Sequence, residues 1–195
     1  MEKTIITISR EFGSGGRYIG KQVAQKLGIA FYDKDIIGRA AEETGLSKEF
    51  IEKKGEYSPI KSIFAYSFVG RNSTGASLED YLYSVQRKII LEIAEKESCV
   101  IVGRCADYIL KDRKDSIHLF ICGNEKEKIE RIEKLYQKTG EEAVKLMREM
   151  DKKRSINYKY YAERQWGRAC NYTMTLNSSK LGYEKCIDII MDVAR

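Results

Sequence analysis

The chain of 195 residues has a single proline, a single histidine and a single tryptophan, and its five cysteines include no Cys-x-x-Cys pair. One histidine and scattered cysteines exclude a structural zinc site, and an odd set of thiols does not read as a disulfide scaffold. One proline and 15 glycines exclude collagenous, Pro-rich and low-complexity architectures. Apolar runs are also short. The stretch Ser98-Cys99-Val100-Ile101-Val102 is typical, against the roughly 20 residues a membrane helix needs. Met1-Glu2-Lys3-Thr4 leads directly into Ile5-Ile6-Thr7-Ile8, without the basic start and apolar core of a secretory signal, so a cytoplasmic protein is expected. What remains is a chain that is 43% hydrophobic and 33% charged with a net charge of +6. A globular domain spanning 1–195 follows from length and composition. The positive excess is spread along the chain and does not by itself name a partner.

Apolar runs and glycine stops alternate in a βα rhythm. Thr4 to Ser9 reads as a strand. Ile19, Val23, Ala24 and Leu27 then recur at helical spacing, closed by Gly28. Ile29 to Tyr32 reads as a second strand, and Asp33 to Thr44 as a helix with an acidic cap and a terminating Gly45. Ser47 to Lys54 reads as one or two further helical turns, and Gly55 to Ser77, with Pro59, Gly70 and Gly75, as a mobile insertion. Leu78 to Lys96 is a helix, Cys99 to Gly103 a buried strand, Ser116 to Cys122 another, and Glu125 to Lys138 a helix. Glu141 to Tyr161 is a long basic, Tyr-rich helical region, Tyr172 to Leu176 a last strand and Leu181 to Ala194 the closing helix. Five short strands separated by helices imply an α/β fold of three layers around a five-stranded parallel sheet.

Ligands of such a sheet bind beyond the carboxyl ends of its strands. The loop after the first strand, Ser9-Arg10-Glu11-Phe12-Gly13-Ser14-Gly15-Gly16-Arg17, has three glycines between a strand and a helix. Its backbone can turn successive N–H groups toward one anion, with the helix N-terminus and Arg17 adding positive charge. The Gly-Lys-[Ser/Thr] ending of a Walker A motif is replaced by Gly16-Arg17-Tyr18, which lacks the phosphate-reaching lysine and the magnesium-binding hydroxyl. An ordinary Gly-rich βα turn is the plain alternative.

Ile8-Ser9-Arg10-Glu11-Phe12-Gly13-Ser14-Gly15-Gly16-Arg17, Phe31-Tyr32-Asp33-Lys34, Val102-Gly103-Arg104-Cys105-Ala106-Asp107 and Asn171-Tyr172 leading to Leu176-Asn177 together resemble the cytidylate kinase-like family of P-loop nucleoside monophosphate kinases. The resemblance implies a P-loop kinase fold with a helical lid in the basic region about 141–168. It also implies ATP and Mg²⁺ as the phosphoryl donor and its metal. It assigns Gly13, Ser14, Gly15, Gly16, Arg17 and Tyr18 to the donor phosphates, with Arg17 standing in for the lysine. Asp33, Arg39, Arg104, Asp107 and Lys153 fall to the acceptor, and Arg17, Arg104 and Arg154 to catalysis. Arg164 and Arg168 are further lid cations. Cys105 replaces the Asp of a Gly-Arg-Asp motif, with Asp107 two residues on. No metal ligand is assigned. The acceptor implied is CMP, dCMP or a similar monophosphate. A nucleotide-binding regulatory module and a kinase of another small metabolite stand as alternatives.

Several residues keep two readings. Asp33 can be a helix cap or a catalytic or magnesium-linked carboxylate. Glu11 can orient Arg10 or Arg17, and His118 and Trp166 read first as packed residues. A thiol at Cys105 beside Arg104 would favour the thiolate. Tyr158, Tyr160, Tyr161, Arg164, Trp166 and Arg168 interleave aromatic and basic side chains, which suits a nucleic-acid surface, although a lid is the preferred reading.

Overall fold

The computed structural model describes residues 3–49, 51 and 77–194. The insertion expected at 55–77 lies outside these residues apart from Ser77. Five strands, β1 (Ile5–Arg10), β2 (Ala30–Tyr32), β3 (Cys99–Val102), β4 (Ser116–Cys122) and β5 (Met174–Asn177), form one sheet in the order β2-β3-β1-β4-β5, every pair parallel. The connections leave β1 in both directions, to β2 and β3 on one side and to β4 and β5 on the other. A crevice therefore opens beyond its carboxyl end.

The residues of β1 divide the molecule into layers. Ile5 packs with α2 (Asp35–Thr44), α3 (Leu78–Lys96) and α4 (Ala106–Ile109) through Ile36, Ile37, Leu82, Ile89 and Ala106. Ile6 and Ile8 point the other way, against Ile19 and Val23 of α1 (Gly16–Leu27) and Ile187 and Ile190 of α8 (Tyr183–Val193). All three isoleucines are fully buried, each contributing about 1.5–3 kcal/mol relative to an exposed side chain. Thr7, also buried, shares a 2.8 Å hydrogen bond with His118 Nδ1, so the single histidine is a packed strand residue.

Two further helices, α5 (Glu125–Tyr136) and α6 (Gly140–Ala162), pack together over the β1–α1 loop through Phe12, Ile132, Ala143 and Met147. The basic region therefore forms α6 and the turn after it. None of the described helices is long and apolar enough to cross a membrane.

Three element boundaries differ from expectation. Helix α2 begins at Asp35 with Lys34 at its N-cap, so Asp33 precedes the helix and does not cap it. The closing helix, expected from Leu181 to Ala194, is α8, and an unexpected short helix, α7 (Ser178–Leu181), precedes it across Gly182, whose φ of 79° a side chain disfavours. Helix α4, four residues long, was not expected at all, because one turn carries no periodicity to read.

Helix α3 starts where its sequence says it can. The Ser77 hydroxyl accepts from the Asp80 amide at 3.1 Å and donates to the Asp80 carboxylate at 2.7 Å. Replacing Ser77 by Ala is expected to cost about 1 kcal/mol, as loss of an N-cap does. A urea titration checks this, with the midpoint falling and the slope unchanged.

Candidate functional site

The loop from Glu11 to Gly15 turns on two left-handed glycines, Gly13 (φ 84°) and Gly15 (φ 79°), and delivers the chain into α1. A side chain at either position would collide with packed neighbours. A Cβ on Gly13 would lie 2.7 Å from the Lys128 carbonyl, and one on Gly15 2.7 Å from the ring of Tyr183. The loop is tied down by its own carboxylate and by the helices around it. Glu11 Oε2 accepts from the Gly123 amide at 3.0 Å and from Lys128 Nζ at 2.9 Å, while Asp151 Oδ1 accepts from the Phe12 amide at 2.7 Å. Ser178 Oγ donates to the Ser14 carbonyl at 2.6 Å. The start of α1 borders the crevice, its first amide donating to Ser14 Oγ at 3.4 Å.

That crevice is a cleft of about 950 Å³. Arg10, Arg17, Lys21, Lys34, Arg104, Arg131 and Arg154 line it, against the carboxylates Glu11, Asp33 and Asp35, and Phe12, Ile132, Leu135, Tyr136, Leu146 and Met150 form an apolar wall. Arg17 reaches across to Asp33, Nε to Oδ2 2.5 Å, with 61% of its side chain exposed and Asp33 buried beneath it. Arg104 occupies the turn after β3, where Gly103 (φ 74°), Arg104 (φ 59°) and Cys105 (φ 54°) are all left-handed. Two consecutive non-glycine residues in that region are strained, and such strain persists where surrounding structure holds it. Arg104 is only 7% exposed, and its Nη1 is buried with no hydrogen-bond partner among the described residues. A buried cationic donor left unsatisfied is costly, so packing around the turn holds it against desolvation as well as backbone strain.

The structure thus brings Gly13, Gly15, Gly16, Arg17, Tyr18, Asp33, Arg104 and Arg154 to one cleft. Ser14 belongs to the same loop, but its buried hydroxyl donates to the Glu11 carbonyl at 2.8 Å. Lys153 lies half-buried on α6 and does not line the cleft. Neither does Arg39, whose Nη2 meets Glu92 at 3.1 Å on the face formed by α2 and α3. Asp107 also turns inward. It is 3% exposed and accepts from Tyr158 at 2.7 Å and Ser9 at 3.2 Å. Burial raises its pKa, and those two hydrogen bonds oppose the rise. The Cys105 thiol behaves opposite to expectation: burial, reinforced by Asp107, pushes its pKa up and outweighs Arg104, so it is a packed thiol and not a thiolate. Trp166 packs edge-on against Phe120, Tyr161 stacks on Tyr83 at 3.8 Å, and Tyr158 is buried. Much of the aromatic content read as a stacking surface is thus used in packing.

Three site features were not singled out from sequence. Arg10 lines both the cleft and a smaller recess shared with Gly103, Arg104, Arg154 and Trp166. Asp151 holds the loop amide described above and faces Arg154 at 3.6 Å, and Arg131 donates to the Tyr183 hydroxyl at 2.9 Å beside Gly15. Among the described residues no group of three or more His, Cys, Asp or Glu could hold a metal.

Against known proteins, residues 5–180 match the cytidylate kinase-like family. The chain belongs to that family. Its fold is similar to that of an uncharacterized protein from Eubacterium ventriosum ATCC 27560, with 28% identity over 98% of each chain and a TM-score of 0.73. It is also similar to the shikimate kinase of Bacteroides thetaiotaomicron, with 16% identity over 97% of each chain and a TM-score of 0.57. The shikimate kinase of Acinetobacter baumannii, solved with shikimate, gives 14% identity over 98% of this chain and 93% of that one, with a TM-score of 0.55. At such identities the two shikimate kinases speak for the fold alone, which is that of P-loop kinases. No curated protein matches the chain.

The buried Asp107 yields a pH prediction. A carboxyl whose pKa is higher folded than unfolded costs nothing below about pH 4, and the cost grows as pH rises through the range where the unfolded chain ionises first. Asp107→Asn removes that slope. Thermal melts from pH 4 to 7 are expected to show the variant gaining on the wild type as pH rises; a difference that moves the other way contradicts a buried carboxyl whose pKa is raised.

Proposed function

We propose that the protein is an ATP-dependent phosphotransferase that moves the γ-phosphoryl group to a small phosphorylated acceptor, CMP or dCMP or a similar monophosphate. The observation that carries this reading is a cleft whose floor is a glycine loop and a helix N-terminus and which Arg10, Arg17, Arg104 and Arg154 line from four separate segments. Membership of the cytidylate kinase-like family supports it. Phosphoryl transfer asks the protein mainly for positioning and charge neutralisation, which is what arginines converging from separate segments supply.

The amides at Gly13 to Tyr18 hold the donor phosphates, and Asp33, steadied by Arg17, stands on the acceptor side. Arg104 and Arg154 neutralise the group in transit. The new bond forms between an acceptor phosphate oxygen and the γ-phosphorus as the bond to the β–γ bridging oxygen breaks, its electron pair leaving with ADP. No covalent enzyme intermediate is needed. Asp35 is the cleft carboxylate that would help hold a magnesium ion, otherwise held by phosphate oxygens and water, and the ion would offset the charge of the donor phosphates. The basic α6 acts as a lid that excludes water. Arg39 and Lys153 contribute to the acceptor side only if α2 and α6 move toward the cleft.

ADP release from Mg·ATP, assayed with CMP, dCMP, UMP, AMP and GMP and without acceptor, tests the proposal. Acceptor-dependent release is expected, together with a loss of about 100-fold or more in kcat/KM for Arg104→Ala, on the scale of a removed transition-state donor. Nucleotide binding without release under any acceptor would instead favour the regulatory module.

A further inference from the structure

Gly16 opens α1 at the end of the glycine loop, and the structure gives a steric reason for a glycine there. A Cβ on Gly16 would lie 2.7 Å from Arg10 Cβ and 3.2 Å from Ile121 Cβ. A side chain there has no room while Arg10 is in place. The other end of the same arginine claims a second glycine: a Cβ on Gly103 would collide with Arg10 Nη1 and lie 3.2 Å from its Cζ. One side chain, leaving the carboxyl end of the central strand, thus runs over two positions bare of side chains and brings its guanidinium beside Arg104. Its backbone is held as well, since Arg154 Nη1 donates to the Arg10 carbonyl at 3.1 Å.

We propose that Arg10 is the cation that reaches the transferred phosphoryl group in place of the Walker lysine. The inference rests on the phosphotransferase reading above and refines it. Arg17 is the less suited of the two, because its side chain is mostly exposed. Arg10 starts at the β1 end of the glycine loop, lines the cleft, and lines the recess where Arg104 and Arg154 also meet. A planar guanidinium offers two phosphate oxygens a fork of donors where lysine offers a point charge. Arg10 gains and loses no covalent bond. It neutralises the γ-oxygens while the phosphorus exchanges the β–γ bridging oxygen, which departs with ADP, for the acceptor oxygen.

Arg10→Met keeps the aliphatic stem over Gly16 and removes only the guanidinium, and Arg10→Lys keeps the charge without the fork. Lys114→Ala, which removes an exposed cation in the turn before β4, outside the cleft and the lid, controls for net charge. Calorimetric binding of inorganic tripolyphosphate and steady-state kinetics with Mg·ATP are measured for all of them beside the wild type. Arg10→Met is expected to retain the wild-type melting transition, bind tripolyphosphate at least tenfold more weakly and lose about 100-fold in kcat, with Arg10→Lys in between and Lys114→Ala unchanged. An Arg10→Met protein within twofold of wild type in affinity and kcat overturns the assignment while leaving the phosphotransferase reading intact. If the wild type binds tripolyphosphate but turns over with no acceptor, the binding loss in Arg10→Met alone still supports Arg10 as the phosphate cation, and transfer is the reading that fails. A wild type that binds neither tripolyphosphate nor Mg·ATP overturns both.

Discussion

Because β1 runs through the middle of an all-parallel sheet with helices on both faces, a charged side chain can leave it only at its ends, and the carboxyl end is the one that meets the glycine loop. The rest of the site depends on that constraint. Ile5, Thr7 and Ile8 are spent on burial, and polarity begins at Ser9 and Arg10, where the sheet stops and the glycine loop starts. Strand β3 ends alongside with its own polar turn at Gly103 and Arg104, so two arginines from different segments arrive at one crevice without either crossing the core. The helix N-terminus of α1 points at the same place.

Holding cations together at that spot requires support from outside the sheet. Glu11 is committed to the Gly123 amide and Lys128, and Asp151 to the Phe12 amide near Arg154. Both carboxylates brace the loop without filling the cleft. Below it, Asp107 with Ser9 and Tyr158 forms a buried polar knot joining β1, α4 and α6. Movement of α6 and the position of the Arg104 turn are therefore mechanically linked, since Asp107 follows Arg104 by three residues and Tyr158 follows Arg154 by four.

Much of the fold was legible because its signals are local. The β-branched run at Ile5 to Ile8, the glycine stops at Gly28 and Gly45, and the helical spacing of Leu78 to Lys96 each specify an element without help from the rest of the chain. The glycine loop was legible as the turn from β1 into α1 for the same reason. What sequence could not provide was direction. Arg10 reads as the last residue of a strand, and nothing local says that its side chain lies over Gly16 and Gly103, positions 6 and 93 residues away in sequence. Asp107 reads as a surface or substrate carboxylate, because its burial depends on Tyr158 arriving from α6. Arg39 came from family resemblance, and its pairing with Glu92 depends on how α2 packs on α3.

The central claim is that the β1 and β3 ends, the glycine loop and Arg104 form one phosphate site. A crystal structure of the protein with Mg²⁺ and a non-hydrolysable ATP analogue tests it most directly. The account predicts the β- and γ-phosphates seated on the amides at the start of α1, with Arg104 Nη1 within hydrogen-bonding distance of a phosphate oxygen. A triphosphate bound elsewhere, or one seated on the loop with Arg104 still unpartnered, would contradict it.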